Sequence, residues 1–456
     1  MLWSDLAGRD VLIVGTGREG RALAERLAGE GADVLRRPAR VRAVDEREGE
    51  ATRDWRASWG ERVPVLVAPG AGELAGAEIA VLSPGIPPHA PIRVLLRELG
   101  VAETTATALW LEEHAPRTIG VTGSKGKSTT AALVHALAVA HGVDAALGGN
   151  IGVPLLSLPA AELYVAELSS YQSSSVTRSP QVVVLTALFP EHLDWHGSER
   201  AYYAGKLNLA AHGARHVVVN GDDPRLVAAL AELQPELEVE PVTEGARWAL
   251  AEHEGEPWIA RAGAPFVPLA GMRLPGRHNA RNAALALAAL EAAGVEPDAE
   301  TAARALAAFR PLEHRLEAID DPSGVTFVDD SLSTSPYAAV AALESLERSD
   351  VVLLLGGQDR GVDTAPLREH LAAHPIAALV GMPDSGGRLL ADLAGTGIRS
   401  ELAEDLPDAV ARARALVPPG GVVLLSPAAP SYGRYRDFAD RAAAFRRAID
   451  DTSGAG

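Results

Sequence analysis

A glycine-rich segment in the first third of the chain carries the residues best suited to chemistry, because glycines let backbone N–H groups turn toward an anion. The segment follows a β-branched run and precedes an alanine-rich stretch, which predicts a strand, a phosphate loop and a helix. The helix N-terminus would add positive potential, Lys127 a mobile charge, and Ser128 a hydroxyl ligand for Mg²⁺. The predicted phosphate-binding residues are Gly123, Ser124, Lys125, Gly126, Lys127, Ser128 and Thr129.

The spacing of this loop is shorter than that of the common Walker motif. Gly123 stands only two residues before Gly126, and Val121 occupies the position of the usual first glycine. The physical arrangement survives the shortening, since the strand, the loop and the helix follow in the order that phosphate binding requires. We therefore predict a phosphate loop here, against the alternative of a glycine-rich turn with a solvated lysine.

Further along the chain, several residues could hold a metal ion. Glu167 ends a predicted strand, where a carboxylate can lie beside the phosphate loop and bind Mg²⁺ directly or through water. His192, Asp194 and His196 alternate, which suits a metal site of magnesium or zinc but equally suits a polar loop with hydrogen-bonded histidines. Lys206 lies on a predicted helix; an unmodified ammonium would repel a metal, so the residue type alone favours a solvated or salt-bridged lysine.

A second glycine-rich turn lies near the N-terminus, where Gly-Thr-Gly-Arg-Glu-Gly at residues 15–20 follows an apolar run. This is a strand-to-helix turn of the dinucleotide-binding type. The next predicted strand, residues 32–35, runs into two arginines, which favours a phosphate-bearing ligand such as NADP or another nucleotide. A further predicted strand, residues 79–82, ends in a turn at the carboxyl edge of the sheet, where open α/β sheets bind ligands. The alternative is that this turn only reverses the chain. The ligand-binding candidates of this region are Gly15, Thr16, Arg36, Arg37, Ser83 and Gly85.

Two later regions also carry polar groups suited to binding. Asn279 and Asn282 fall three apart on one face of a predicted helix and could hydrogen-bond a base or a ribose. Beyond them, predicted strands end in residues 329–334, 356–360 and 426–432, all rich in polar side chains. Polar residues at several carboxyl ends of one sheet suggest a ligand crevice, with ordinary turn chemistry as the alternative.

The elements that must position these residues alternate between short apolar strands and helical patterns. We predict an α/β protein of three domains. Residues 1–105 would form a Rossmann-like domain, residues 106–310 a central ATPase-like domain with a mostly parallel sheet around the phosphate loop, and residues 311–456 a second Rossmann-like domain. Residues 228–271 predict a small β excursion without visible chemistry.

The bulk composition restricts the possible partners. The chain has 456 residues and a formal net charge of −18, so its field repels nucleic acid and anionic membranes. It contains no cysteine, which excludes disulfides and thiolate chemistry. No basic leader precedes an apolar core at the N-terminus, and no run of 18 apolar residues occurs. We therefore predict a cytoplasmic protein that binds neither nucleic acid nor membrane.

Taken together, these motifs resemble the Mur ligases, the ATP-dependent amino-acid ligases of peptidoglycan precursor synthesis, over nearly the whole chain. Each motif is modest alone, and their joint order and spacing carry the resemblance. The motifs are Gly-Ser-Lys-Gly-Lys-Ser-Thr at 123–129, Gly-Asn-Ile-Gly at 149–152, Glu-Leu-Ser-Ser-Tyr-Gln at 167–172, Glu-His-Leu-Asp at 191–194, Lys206-Leu207, His278-Asn279 with Asn282, His314-Arg315, Asp330-Ser331 and Leu-Ser-Pro at 425–427.

The resemblance implies roles for individual residues. Lys127 and Ser128 would hold ATP phosphates and Mg²⁺, with Glu167 on the same metal and His192 on a second. Lys206 would be carbamylated by CO₂, which turns a repelling cation into a carboxylate-like ligand and reverses the expectation from residue type. The implied nucleotide contacts are Asn279, Asn282, Arg315 and Asp330. The implied substrate contacts are Asn150, Ser169, Thr334, Arg360, Ser431, Tyr432 and Phe438.

The implied substrates are UDP-N-acetylmuramoyl-L-alanine and glutamate, joined through an acyl phosphate by an enzyme expected to be a monomer. Leu332 and Arg360 stand where the family commonly has lysines. The sequence of residues 329–334 is closer to that of a branch of the family that uses L-glutamate. D- and L-glutamate therefore both stay open, and Arg36 replaces an acidic residue expected near the uracil. The alternatives are another Mur-type or folylpolyglutamate-type ligase, an NADP-dependent oxidoreductase and a non-catalytic nucleotide-binding protein.

Overall fold

The computed structural model describes residues 1–29, 37–150, 152–272, 274, 276–310, 316–346, 348–359, 363–429, 431 and 433–453. The chain divides into two compact units. The first comprises Met1–Met272 and Ala280–Ala308, and the second Arg273–Asn279 and Phe309–Gly456. The first unit contains two sheets and the second one sheet. The mixed α/β architecture with mostly parallel sheets is confirmed, and the three domain boundaries stay a prediction.

The N-terminal sheet has five parallel strands in the order β3-β2-β1-β4-β5. Its strands are β1 (Asp10–Val14), β2 (Arg40–Asp45), β3 (Val65–Val67), β4 (Ile79–Leu82) and β5 (Ala102–Thr105). Val11 and Ile13 pack into one apolar cluster and Leu12 and Val14 into another, on the other face. A strand that is buried on both faces explains the unbroken apolar run in the sequence.

The strand that pairs with β1 on one side differs from the expectation. It is β2, from Arg40 to Asp45, and it ends in an acidic residue rather than in arginines. The predicted strand at 32–35 lies outside the described residues. Arg42 within β2 is buried and paired with Asp10, so charged side chains hid this strand from a search for apolar runs.

The central sheet has nine strands in the order β14-β13-β12-β11-β10-β9-β6-β8-β7. They are β6 (Thr118–Thr122), β7 (Ala145–Gly149), β8 (Leu163–Glu167), β9 (Val182–Leu185), β10 (His216–Asn220), β11 (Glu240–Val242), β12 (Trp248–His253), β13 (Glu256–Arg261) and β14 (Ala264–Pro268). Strands β6 to β12 pair in parallel, and β12, β13 and β14 pair antiparallel. The predicted β excursion is therefore an extension of this sheet.

The third sheet has six strands in the order β15-β16-β20-β17-β18-β19, with only β15 antiparallel to its neighbour. They are β15 (Glu317–Asp320), β16 (Thr326–Asp329), β17 (Val351–Leu355), β18 (Ala378–Gly381), β19 (Ser400–Leu402) and β20 (Val422–Leu425). Alternate residues of β17 again enter two clusters, one on each face of the sheet.

Helices connect the strands and cover the sheets. They are α1 (Arg18–Ala28), α2 (Glu50–Trp59), α3 (Ala71–Leu74), α4 (Pro91–Glu98), α5 (Ala106–His114), α6 (Lys127–Ala140), α7 (Ser170–Ser173), α8 (Leu193–His196), α9 (Glu199–Leu207), α10 (Pro224–Leu233), α11 (Arg277–Ala292), α12 (Ala299–Ala308), α13 (Pro336–Leu346), α14 (Ala365–Ala373), α15 (Gly386–Leu393), α16 (Leu406–Leu416) and α17 (Phe438–Ser453). In the described ranges, no helix combines the length and apolarity needed to cross a lipid bilayer.

Candidate active site

The phosphate loop connects β6 to α6 as the sequence predicted. Gly126 precedes the first residue of α6 with φ +89°, and Gly123 has φ +144°. A Cβ on Gly126 would lie 2.8 Å from Asn282 Oδ1, and one on Gly123 would collide with Thr186 Oγ1. Both positions need glycine, because the backbone conformation and the neighbouring side chains leave no room for a Cβ. Asn282 therefore lies against the loop, and its role as a nucleotide contact stays a prediction.

The segment that follows β9 braces this loop through hydrogen bonds. Ser124 Oγ donates to the Phe189 carbonyl at 2.8 Å, and its backbone N–H donates to the Ala187 carbonyl at 2.6 Å. Thr186 Oγ1 donates to the Lys125 carbonyl at 2.6 Å. These bonds fix the loop from outside, so its remaining N–H groups at the start of α6 can face an anion without reorganisation.

All three lysines of the chain belong to this site. Lys125 and Lys127 lie on the loop, and Lys127 Nζ donates to the Ser124 carbonyl at 2.9 Å. Lys206 Nζ donates to the Gly123 carbonyl at 2.6 Å and lies 4.7 Å from the centre of the Tyr202 ring. The structure thus brings Lys206 to the phosphate loop, although 78 residues separate it from Ser128 in the sequence.

The Lys206 side chain is only 2% exposed, which makes its charge costly. Burial lowers the pKa of its ammonium well below the usual range, and the positive charge of Lys127 lowers it further. The carboxylates of Glu191 and Glu167 act in the opposite direction. The amine is therefore more readily deprotonated than that of an exposed lysine, and an uncharged amine can react with an electrophile.

Glu167 ends β8, the strand that neighbours β6, and pairs there with Val121. Its side chain is 1% exposed, and its Oε1 accepts a hydrogen bond from Asn150 Nδ2 at 3.2 Å. Oε2 is buried and has no hydrogen-bond partner among the described residues. A buried carboxylate oxygen without a donor fits a cation, and oxygen donors from Glu167 and Ser128 are those that Mg²⁺ prefers. These residues fit a magnesium site.

His192 lies in an aromatic cluster beside the loop. It precedes α8 with φ +54°, and its ring centre lies 5.0 Å from that of Tyr171 and 6.4 Å from that of Tyr202. His196 Nε2 lies 3.0 Å from Ser170 Oγ, which makes it a hydrogen-bonded histidine of the kind that sequence reasoning considered. Across the described ranges, no three His, Asp or Glu side chains lie close enough together to hold a metal by themselves. The Asp194 side chain lies outside the described residues, so a metal site at 192–196 stays a prediction.

Ser169 lies between Glu167 and α7 and caps that short helix. Its Oγ accepts a hydrogen bond from the Gln172 backbone N–H at 3.3 Å and donates to Gln172 Oε1 at 3.0 Å. The described contacts of Ser169 therefore stabilise the turn after β8, and its role as a substrate contact stays a prediction.

The N-terminal candidates meet at the carboxyl ends of β1 and β4. A Cβ on Gly15 would lie 2.5 Å from Ser83 Oγ, so the two turns touch. Thr16 Oγ1 donates to Asp45 Oδ2 at 2.7 Å, which adds the end of β2 to the group. Arg37 is exposed, and its carbonyl accepts a hydrogen bond from the Gly8 backbone N–H. Gly8 lies just before β1 and Arg37 just before β2. Arg37 thus lies at the opposite edge of the sheet, and Arg36 lies outside the described residues.

A cleft of about 630 Å³ opens between the carboxyl ends of β4 and β5 and the helices α7, α8 and α9. Its lining includes Ser83, Thr104, Tyr171, Trp195 and His196. Gly85 is exposed in the turn beside it. The cleft brings a predicted substrate-binding turn and the aromatic cluster around His192 to one space, with room for part of a large ligand.

In the second unit, polar residues gather at the ends of β16, β17 and β20. Ser426 Oγ donates to the buried Asp330 Oδ2 at 2.8 Å. Ser431 lines a cavity of about 50 Å³ with Gly356, Gly357 and Arg441. Thr334 is exposed and Phe438 is 37% exposed. The predicted residues Arg315, Arg360 and Tyr432 lie outside the described residues.

Three residues of these sites escaped the sequence analysis. Tyr202 is fully buried, and its hydroxyl lies 2.9 Å from Ser124 Oγ and 3.4 Å from Glu191 Oε2. It precedes Lys206 by four positions, so helical periodicity could have found it. Asp45 was hidden in a charged strand. Arg441 donates to the carbonyls of residues 429 and 331 from a buried position where burial lowers its pKa to about 10, and no local motif signals it.

Comparison with known families gives two matches. Residues 121–290 match the Mur ligase middle domain, and residues 314–429 match the Mur ligase, glutamate ligase domain. A UDP-N-acetylmuramoyl-L-alanine–L-glutamate ligase from a Micromonospora species is 50% identical over 100% of this chain and 99% of its own length. The protein of the same name from Xanthomonas euvesicatoria pv. vesicatoria is 40% identical over 96% of this chain and 94% of its own length.

Solved structures show the same fold. The UDP-N-acetylmuramate-alanine ligase of Thermotoga maritima is 19% identical with a TM-score of 0.61, over 97% of this chain and 99% of its own. The MurF ligase of Thermotoga maritima, solved in complex with ADP, is 18% identical with a TM-score of 0.60, over 99% of this chain and 97% of its own.

We predict that Gly126→Ala weakens nucleotide binding beyond the effect of backbone strain. The left-handed conformation should cost about 1–2 kcal/mol for any L-residue, and the new Cβ must also displace Asn282. Gly142→Ala is the matched control, because Gly142 has φ +81° with nothing within 4 Å of a Cβ. Thermal unfolding and calorimetric titration with a non-hydrolysable ATP analogue would measure both effects. Equal losses of nucleotide affinity in the two variants would contradict the assignment of Asn282.

Proposed function

The chain belongs to the Mur ligase family, and from this premise we propose that it joins L-glutamate to UDP-N-acetylmuramoyl-L-alanine in an ATP-dependent reaction. The observation that carries the proposal is the convergence of Lys127, Lys206 and Glu167 on one phosphate loop. A protein that only binds nucleotide would not need Lys206 and Glu167 buried beside the loop. Relatives that are 40–50% identical over nearly their whole length carry the name of this reaction.

The reaction would proceed in two steps. The alanyl carboxylate attacks the γ-phosphorus of ATP, a bond to phosphorus forms and ADP leaves. The amine of glutamate then attacks the carbonyl carbon of the acyl phosphate, an amide forms, and phosphate leaves with the loss of an amine proton. Lys127 and the N-terminus of α6 would neutralise charge on the transferred phosphoryl group. The braced loop would hold the reacting oxygens in line.

Ser128 and Glu167 would hold one Mg²⁺, and His192 with a carbamylated Lys206 a second. Bound Mg²⁺ would screen the negative charges of the phosphates and of the attacking carboxylate. Lys206 supports this assignment because it is buried at the loop and its charged form is disfavoured. A carbamate there would replace a positive charge by a negative one.

The remaining predicted contacts assign each ligand to a different part of the chain. We propose that the turns around Gly15, Thr16, Ser83 and Gly85 bind the UDP end, and that Asn150 and Ser169 contact the muramoyl part. Asn279, Asn282, Arg315 and Asp330 would bind the nucleotide. Thr334, Arg360, Ser431, Tyr432 and Phe438 would line the glutamate site. The protein would act as a monomer in the cytoplasm, where UDP-linked precursors and ATP are available.

L-glutamate is preferred over D-glutamate in this proposal for two reasons. The relatives are named as L-glutamate ligases, and the family lysines near the amino acid are replaced by Leu332 and Arg360. Leu332 is half-buried two residues after Asp330, and its apolar side chain cannot make the charged contact that a lysine would make at this position. A nicotinamide site at the Gly15 turn, the alternative class, would leave Lys127, Glu167 and Lys206 without a role.

The deciding experiment measures ADP release with UDP-N-acetylmuramoyl-L-alanine and either L- or D-glutamate. We expect Mg²⁺-dependent ADP release and a dipeptide product with L-glutamate only. Product formation with D-glutamate at the same rate would refute the stereochemical assignment. No ADP release with either isomer would refute the ligase itself.

Lys127→Ala should lower kcat by about 10²–10³-fold, as the loss of a charge-stabilising donor often does. Arg304→Ala is a suitable control, because it removes one positive charge from an exposed pair with Glu300 on α12. Steady-state ADP release measures both variants. Turnover of Lys127→Ala within a few-fold of wild type would mean that this lysine does not contact the reacting phosphate.

Carbamylation of Lys206 should be visible by ¹³C NMR after incubation with ¹³C-bicarbonate. With only three lysines in the chain, one protected carbamate signal is expected, absent from Lys206→Ala and retained in Lys127→Ala. The signal should persist in wild type after dilution into bicarbonate-free buffer longer than that of the α-amino group, because Lys206 is buried. An identical spectrum for wild type and Lys206→Ala would exclude the modification.

A further inference from the structure

Arg18, the first residue of α1, reaches from the N-terminal glycine turn to the loop after β7. Its guanidinium donates to the Gly152 carbonyl at 2.9 Å and to the Asn150 carbonyl at 3.0 Å. The two carbonyls belong to the Gly-Asn-Ile-Gly motif. A rigid fork that donates to two carbonyls two residues apart holds those two carbonyls in fixed positions.

Asn150 connects this fork to the metal site. Its backbone N–H donates to the Glu167 carbonyl at 2.8 Å, and its side-chain Nδ2 donates to Glu167 Oε1 at 3.2 Å. The second carboxylate oxygen, Oε2, is thereby left for a cation. Arg18, Asn150 and Glu167 thus form one continuous path from the first sheet to the magnesium ligand.

A second contact supports the same turn. Gln172 is buried, and its Nε2 donates to Glu19 Oε1 at 2.9 Å. Burial raises the pKa of the Glu19 carboxyl to about 7, and the hydrogen bond from Gln172 partly offsets that rise. The neighbouring residues Arg18 and Glu19 therefore contact the loop after β7 and the helix α7 after β8, the segments on both sides of Glu167.

We propose that Arg18 is a positioning residue that sets the divalent-metal affinity of the phosphate-loop site by holding Asn150, and through it the orientation of Glu167. The proposal deepens the ligase function and rests on its assignment of Glu167 as a metal ligand. It also couples the turn that would bind the UDP end to the metal site, because Arg18 belongs to that turn.

The expected size of the effect follows from the contacts. Partners that hydrogen-bond to a metal ligand typically change metal affinity by about 10–100-fold when removed. Arg18 acts one step further away, through two hydrogen bonds from a charged group. We therefore expect about a tenfold loss of metal affinity when the fork is removed, at the lower end of that range.

The test uses the full-length protein with Mn²⁺ as the metal probe and a non-hydrolysable ATP analogue, with bound Mn²⁺ measured by electron paramagnetic resonance. Arg18→Gln should bind Mn²⁺ about tenfold more weakly than wild type. Arg26→Gln is the matched control, because Arg26 also lies on α1 and pairs across to Glu113 of α5 at 3.3 Å, away from Asn150. Arg18→Lys, with one ammonium nitrogen in place of the planar fork, should recover only part of the loss.

A double-mutant cycle distinguishes the positioning of Asn150 by Arg18 from a general loss of local structure. If Arg18 acts through Asn150, then Arg18→Gln should weaken Mn²⁺ binding no further in an Asn150→Ala background. Additive losses would overturn the proposal, as would equal Mn²⁺ affinities for Arg18→Gln and Arg26→Gln. Thermal unfolding of each variant verifies that the folded fraction is unchanged at the assay temperature.

The Mn²⁺ measurement is also independent of the test of ligase activity. Mn²⁺ binding is recorded without muramoyl substrate or glutamate, so failure of ADP release in wild type would leave this result intact. Conversely, an active ligase in which Arg18→Gln binds Mn²⁺ as wild type does would refute the role of Arg18 alone.

Discussion

The structure of the site depends on one costly contact, the burial of the Lys206 amine against the Gly123 carbonyl. A buried cation beside a second lysine is unfavourable unless its charge is lost or compensated. Burial and the positive charge of Lys127 lower the pKa of this amine against the opposing effect of the Glu167 and Glu191 carboxylates, and an uncharged amine is what the proposed carbamylation requires. All three lysines of a strongly acidic chain lie at this loop, so positive charge is concentrated where the proposed function requires phosphate to bind.

Sheet topology explains how distant residues meet there. Because β8 and β9 flank β6 in parallel, their carboxyl ends place Glu167 and Thr186 on either side of the phosphate loop. The segment after β9 then braces Ser124, and α9 returns Tyr202 and Lys206 to the same loop. Gly123 and Gly126 complete the arrangement, because both have positive φ and a Cβ at either residue would lie too close to a neighbouring side chain.

Much of this fold could be predicted because buried parallel strands are continuous apolar runs, as in β1, β4 and β17. Strands with charged or small residues were missed, as β2 shows, because Arg42 is buried within it through contacts with Asp10 and the Glu73 carbonyl. Of the site, the phosphate loop was predicted from its glycines and lysine and from the order of strand, loop and helix. Lys206 was assigned by resemblance, since its residue type suggested an ordinary surface lysine.

The sequence by itself determined the phosphate loop, the α/β class and the family, because each depends on residues close together in the chain or on their order along it. Only the tertiary structure decided the surroundings of those residues. The depressed pKa of Lys206, the free oxygen of Glu167 and the reach of Arg18 to Asn150 all depend on burial and on contacts between distant segments. Desolvation and hydrogen-bond geometry are properties of the packed chain, and no spacing of residues encodes them.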